Sequence, residues 1–241
     1  MKYVDMHCHC HELPHDRIRE FLSDNIILVC VSDNVPSSYD TLELSREFRE
    51  IIPCIGIHPW EVHNYSEKDL ENLIEKGIEN NIECLGEVGL DKLFYARTYD
   101  HQMKLFKIVI KYAKEYDLVL NLHTAGTWKE VYELLIKNDI SRAYFHWYTG
   151  SLNLLNDIIS SGYYIGLNPA WKIQDKHRRV LEKTPLDYIL TESDSPYKYR
   201  GLELSPSMIR ETIEFLAEKH GLSVNDVVWK IWFNFKRLFG F

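Results

Sequence analysis

At 241 residues, with a formal net charge of −8, 45% apolar and 27% charged residues, the chain has the composition of an ordinary globular protein and the length to bury a full core as one domain, 1–241. The acidic balance argues against broad, sequence-independent attraction to nucleic acid, which draws on Lys and Arg neutralising phosphates, so any such substrate must be captured by local contacts. No N-terminal stretch is apolar enough for a signal peptide or a membrane span, so a cytoplasmic protein without a membrane partner is expected. The 5 cysteines, odd in number and mostly inside apolar runs, are expected to be reduced and packed rather than to form a disulfide framework.

In chain order, short β-branched or aromatic runs recur at 3–6, 26–31, 51–57, 83–88, 118–122, 143–145, 163–167 and 188–190, which makes eight candidate strands. Between them lie segments with helical spacing. In 100–116, for example, Met103, Phe106, Ile110 and Ala113 share one face while Lys104, Lys107, Lys111 and Lys114 share another. Strand-then-helix units repeated in this way call for parallel strands with right-handed crossovers, and eight of them favour closure into a TIM-type (β/α)8 barrel; an open doubly wound sheet is the alternative. The Gly-rich dinucleotide fingerprint is absent, because the first run leads into His7-Cys8-His9-Cys10-His11. The segment 205–241 reads as two helices around Gly221-Leu222-Ser223, with Ser223 as N-cap and Trp229, Trp232, Phe233 and Phe235 as packing residues.

Barrel enzymes carry their catalytic groups at the C-terminal ends of the strands. Ligand-type residues stand there in this chain: His7 and His9, His58, Glu87, His123, His146 and Asp194. Alternation along a strand turns His7 and His9 to one face and Cys8 to the other, although a His-x-His pair taken alone is as readily two histidines hydrogen-bonded in a loop. Glu87 lies in an apolar segment where an unpaired charge is costly. A salt bridge would satisfy it, but no Lys or Arg holds a comparable strand end, so a position bridging two metal ions is preferred. Asp194 suits a ligand that also accepts a proton from water; Glu192 is its rival, since a spacing of two puts both on the same face. Nitrogen and carboxylate ligands without thiolate suit Zn²⁺, Mn²⁺ or Mg²⁺, and their number points to two divalent ions that activate water for hydrolysis.

The motifs Val4-Asp5-Met6-His7-Cys8-His9, Gly56-Ile57-His58-Pro59, Gly86-Glu87-Val88-Gly89-Leu90-Asp91, Asn121-Leu122-His123, Phe145-His146-Trp147-Tyr148-Thr149-Gly150, Thr191-Glu192-Ser193-Asp194-Ser195-Pro196-Tyr197 and Asn234-Phe235-Lys236-Arg237-Leu238-Phe239 resemble those of the TatD-type DNase family, in family order and over nearly the whole chain. The resemblance implies a metal-dependent hydrolase. In it His7, His9, Glu87 and Asp194 hold one metal, Glu87, His123 and His146 hold the other, and Asp194 accepts the proton. It also implies that His58 contacts substrate and that the reaction is phosphodiester hydrolysis on DNA, often from a 3′ end.

Two features depart from the family pattern. Thr124-Ala125-Gly126 follows His123 where many members carry a basic residue, and Trp147 and Tyr148 replace a smaller pair. These aromatics either stack on a base, at about 1–3 kcal/mol per base, or fill the barrel rim. Lys198 and Arg200 supply local positive charge for substrate, as do Lys172 and Lys176; Arg178 and Arg179 read as a solvated helix face. A small ester, amide or phosphoester is the alternative substrate, and a non-catalytic metal-binding protein a further one, disfavoured because every expected ligand position is filled. A monomer is expected.

Overall fold

The β-branched and aromatic runs become strands and the amphipathic segments between them become helices, in a computed structural model that describes residues 2–241. In chain order these are β1 (Tyr3–Cys8), α1 (His15–Ser23), β2 (Ile26–Val31), α2 (Val35–Glu47), β3 (Ile51–Ile55), α3 (Glu67–Glu79), β4 (Cys84–Gly89), α4 (Tyr99–Tyr116), β5 (Val119–His123), α5 (Trp128–Lys137), β6 (Ala143–Phe145), α6 (Leu152–Ser160), β7 (Tyr164–Leu167), α7 (Asp175–Lys183), β8 (Ile189–Thr191), the hairpin β9 (Lys198–Tyr199) and β10 (Leu202–Glu203), α8 (Ile209–His220) and α9 (Val224–Phe239). Strands β1 to β8 follow one another in sequence order, the topology of a (β/α)8 barrel.

The chain forms two compact units, Met1–Cys30 with Trp147–Phe241, and Val31–His146. In the first, β1 pairs in parallel with β2 and β7 with β8, and a parallel bridge from Cys8 to Ser195 joins the end of β1 to the segment after β8. In the second, β3, β4, β5 and β6 pair in parallel, with Cys54 opposite Cys84, Cys84 opposite Val119 and Leu122 opposite Phe145. Every residue of β2 and of β4 is buried, as parallel strands covered on both faces require.

Helix ends follow local chemistry. Ser223 caps α9 by accepting from Asp226 N–H, and the Asp226 side chain answers from N3. Within α9, Phe235 is buried as expected, but Trp229 and Phe233 are 57% and 58% exposed. Both lie on the helix face opposite Val227, Val228 and Ile231, so the aromatic count overstated the packing. Asn234, buried on that helix, donates from Nδ2 to the carbonyls of Leu186 and Ile189, each at 2.8 Å, and so ties α9 to the start of β8. Asn234→Ala is expected to lower stability by about 2–4 kcal/mol by stranding two buried acceptors, read as a shift in the urea unfolding midpoint. A shift below about 0.5 kcal/mol, the scale of a neutral surface change, would remove that role.

The cysteines depart from expectation. Cys10 is bonded to Cys30 and Cys54 to Cys84, leaving Cys8 as a buried thiol. Strand register sets this: Cys54 lies opposite Cys84 with 4.5 Å between Cα atoms, within disulfide reach, and the pattern along either strand carries no record of its neighbour. Thiol titration in denaturant is expected to count one thiol per chain, from Cys8, and 5 after reduction. Finding all of them before reduction would restore the reduced state. No helix among the described residues is long and apolar enough to cross a membrane.

Candidate metal centre

In the first unit three ligand-type side chains converge. His7 Nε2 and His9 Nε2 each lie 3.5 Å from Asp194 Oδ1, with His7 fully buried and the side chains of His9 and Asp194 only 13% and 8% exposed. The strand pleat turns both imidazoles to the same side. A backbone zip then brings Asp194 to them, as Asp194 N–H donates to the His7 carbonyl and His9 N–H to the Ser195 carbonyl, both at 2.8 Å. Asp194 has φ +59, a left-handed turn that Asp tolerates better than most residues. That turn departs from the strand geometry on which the spacing argument rested. Glu192 remains a ligand-type residue beside His7, and its Oε1 accepts from Trp147 N–H at 3.0 Å and from Asn168 Nδ2 at 3.1 Å.

The donor set fits a divalent cation. Its ligand atoms lie within 4.8 Å of one another, and the 3.5 Å spacings match the edge of about 3.4 Å expected for ligands near 2.1 Å in a tetrahedral shell. Asp5, two residues before His7, supports the group from behind: its Oδ1 accepts from Ser193 N–H at 2.8 Å and from His7 N–H at 3.2 Å. Burial raises the Asp5 carboxyl to about 7, against the lowering pull of Ser193 and His7.

In the second unit His58, Glu87 and His123 form another group with metal-ligating atoms. His123 Nδ1 is 2.7 Å from Glu87 Oε1 and 3.1 Å from His58 Nε2, and His58 Nε2 is 3.3 Å from the same carboxylate oxygen. Two glycines allow this approach. A Cβ at Gly86 would lie 2.7 Å from Asn121 Cβ, and one at Gly89, where φ is +145, would lie 2.0 Å from the His123 carbonyl oxygen. The Gly-Glu-Val-Gly motif therefore lets β4 bring Glu87 against the end of β5. The first expectation for His58, a substrate contact, broadens here, because the structure places it among the ligand-type atoms.

Asp91 is the residue that strand-end reasoning missed, although it closes the quoted Gly86–Asp91 motif. Its Oδ2 takes the Trp60 indole N–H at 2.6 Å and His123 Nε2 at 3.0 Å, and its Oδ1 takes the N–H groups of Leu93 and Phe94 at 2.8 and 2.7 Å. It thereby fixes the ring of His123 with Nδ1 toward Glu87, the outer-shell role of a carboxylate behind a ligating histidine. Burial opposes charge on both partners. Even so His123 is raised to about 9 by Asp91 and Glu87, while Asp91 is lowered to about 2 by His123, the Phe94 N–H and Trp60. Burial lowers the pKa of His58, whose Nδ1 accepts the Trp60 backbone N–H at 3.2 Å. A nitrogen ligand must be deprotonated to bind a cation, so a cation held at His123 Nδ1 would take the place of a proton there.

The other expected residues are placed as follows. His146 is buried directly after β6, with its N–H on the Leu122 carbonyl at 3.2 Å, and the next residue, Trp147, is held by Glu192 and by an indole bond to Gln174 Oε1 at 2.7 Å. Tyr148 is wholly buried, its hydroxyl on the Ser151 carbonyl. It therefore fills the interior rather than facing a substrate. Lys198 and Arg200 are exposed on the β9–β10 hairpin and lie outside the His7–His9–Asp194 group; Lys198 pairs with Glu203 at 3.3 Å, and Arg200 takes a left-handed turn position with φ +48. Lys172 pairs with Glu211 and Arg178 with Glu182, so these charges serve the local surface.

The chain is similar to a metal-dependent hydrolase of Methanocaldococcus jannaschii, 28% identical over 95% of both chains, and to YcfH of Escherichia coli K12, described as a metal-dependent hydrolase, 25% identical over 99% of this chain and 96% of that one. The crystal structure of YJJV, the TatD homologue from Escherichia coli K12, superposes with a TM-score of 0.89 over 99% of this chain and 98% of that one, at 23% identity. That likeness shows the fold. The protein is a metal-dependent hydrolase of the (β/α)8 class. The family model of TatD-related DNases matches residues 4–240, and the chain belongs to that family.

Proposed function

We propose that the protein is a deoxyribonuclease that hydrolyses phosphodiester bonds with divalent metal ions, one held by His7, His9 and Asp194 and a second by Glu87 and His123, with His146 as a further ligand. The observation that carries this reading is the convergence of the His7 and His9 Nε2 atoms on one Asp194 oxygen, a buried donor set for a cation. Family membership supports phosphodiester chemistry. Bound divalent ions supply an acidified water and charge to offset that of the phosphate. Asp194 accepts the proton of the attacking water. Glu87 and Asp91 hold the His123 ring between them, so that Nδ1 is aimed before substrate arrives. His58, kept neutral by burial, carries its proton on Nε2, because Nδ1 accepts from Trp60, and offers a donor at this group without adding charge. Trp147, only half-buried and bordered by Tyr197 and Tyr199 at 6.1 and 5.1 Å, gives the first unit an aromatic surface, with Arg200 and Lys198 on the adjoining hairpin as phosphate contacts.

The test is to incubate the protein with 3′-labelled single-stranded DNA in Zn²⁺, Mn²⁺ or Mg²⁺. Shortening of the strand that stops on chelation is the expected result. Intact DNA together with hydrolysis of simple esters or phosphoesters would move the assignment to a small-molecule hydrolase, a reading favoured by the neutral Thr124-Ala125-Gly126 run beside His123. Elemental analysis is expected to find about two divalent ions per chain.

A further inference from the structure

The loop after β4 exposes apolar side chains next to the second ligand group. Leu93 and Phe94 are 62% and 65% exposed, and adjacent large apolar residues left in water mark an interaction site when they form a patch. This patch is held rigidly. The Leu93 and Phe94 N–H groups are anchored on Asp91, Lys92 N–H donates to the Ala125 carbonyl at 3.0 Å, and the Gln102 amide donates to the Tyr95 carbonyl at 2.9 Å. Gly126, at φ +73, allows the neighbouring loop to close on Leu93, whose backbone nitrogen would be 3.3 Å from a Cβ there.

The patch continues inward through Trp60. Its ring stacks on Tyr95 at 5.3 Å and 17°, meets Phe94 edge-on at 6.0 Å, and lies 5.1 Å from the His58 ring and 6.2 Å from the His123 ring. The Trp60 indole N–H and both Asp91 oxygens are already engaged with one another and with the loop, so what the ledge leaves exposed is the apolar side chains of Leu93 and Phe94. Arg97 lies over Tyr95 at 5.4 Å and adds a cation at the rim.

We propose that Leu93 and Phe94, backed by Trp60, form a stacking subsite for an unpaired nucleobase beside the bond to be cleaved. This rests on the nuclease reading. Flat apolar faces next to a phosphodiester-cleaving group suit a base, since every base has a face to stack and stacking tolerates sequence; a base within a duplex has both faces covered by its neighbours. Arg97 complements the phosphate that accompanies the base.

The experiment measures binding separately from cleavage. Fluorescence anisotropy of metal-loaded protein is recorded with labelled phosphorothioate-linked tetrathymidylate and with the matched strand lacking bases, for wild type, Phe94→Ala, Leu93→Ala and Phe94→Tyr. Because Leu93 and Phe94 are exposed, melting temperatures should not move. Phe94→Ala is expected to weaken binding of the thymidylate by about fivefold or more, Leu93→Ala by less, and Phe94→Tyr to restore it, while the abasic strand binds all four proteins alike and more weakly. Equal binding of thymidylate and abasic strand by wild type, or an unchanged affinity in Phe94→Ala, overturns the subsite. If wild type cleaves DNA while Phe94→Ala binds normally, the subsite falls and the nuclease stands; if the binding pattern holds but no DNA is cut, the nuclease reading falls and the subsite stands as a base-binding ledge.

Discussion

Replacing Asp194 with Asn is expected to reduce hydrolysis by about a thousandfold, within the range for loss of a positioned proton acceptor, while leaving the fold in place. The carboxylate is the one anionic member of the His7–His9–Asp194 group, and its Oδ1 faces both imidazoles at 3.5 Å. An amide of the same shape keeps a neutral oxygen but loses the charge that balances a divalent ion and the basicity that accepts a proton. Asn is the informative substitution because the residue sits at φ +59, where Asn is tolerated and Ala is strained. The backbone bonds from Asp194 N–H to the His7 carbonyl and from Tyr197 N–H to the Asp194 carbonyl do not depend on the side chain, so the melting temperature should move by only a few degrees. Steady-state kinetics, elemental analysis and thermal melting together check this; a variant with full turnover and full metal content would remove Asp194 from the chemistry.

Asp91→Ala is expected to lower divalent-metal affinity by about 10- to 100-fold, the usual range for losing the partner of a ligating histidine, with a matching loss of turnover. A single carboxylate receives Trp60, His123 and the Leu93 and Phe94 N–H groups. Its removal releases the His123 ring and strands buried donors, at about 1–3 kcal/mol each. Asp91→Asn separates the two roles. Its amide oxygen can still receive the loop N–H groups, but the NH₂ then confronts the donors of Trp60 and His123, so stability should recover more than metal affinity does. Metal titration by calorimetry and urea unfolding of both variants report the difference; equal metal affinity in wild type and Asp91→Ala would reduce Asp91 to a loop anchor.

Much of this protein was legible along the chain, because local periodicity is a property of the backbone itself. The runs 26–31 and 143–145 coincide with β2 and β6, and the remaining predicted strands agree with the observed ones to within two residues at each end. The family followed from motif order. Legibility stopped where a side chain's meaning depended on its neighbour across space. Asp194 sits in a left-handed turn that alternation cannot anticipate. Asp91 and Trp60 became visible only when β4 and the loop after β3 met His123. Lys198 and Arg200, close to Asp194 in sequence, were carried onto an exposed hairpin, and register, which no single strand records, paired Cys54 with Cys84. By itself, then, the amino-acid order determined the alternating elements and which residue types end them, because those rest on backbone period and side-chain polarity. Which of these residues meet, and which of their atoms face one another, was decided only by strand pairing and turns, since hydrogen bonds of about 3 Å depend on positions far apart in the chain.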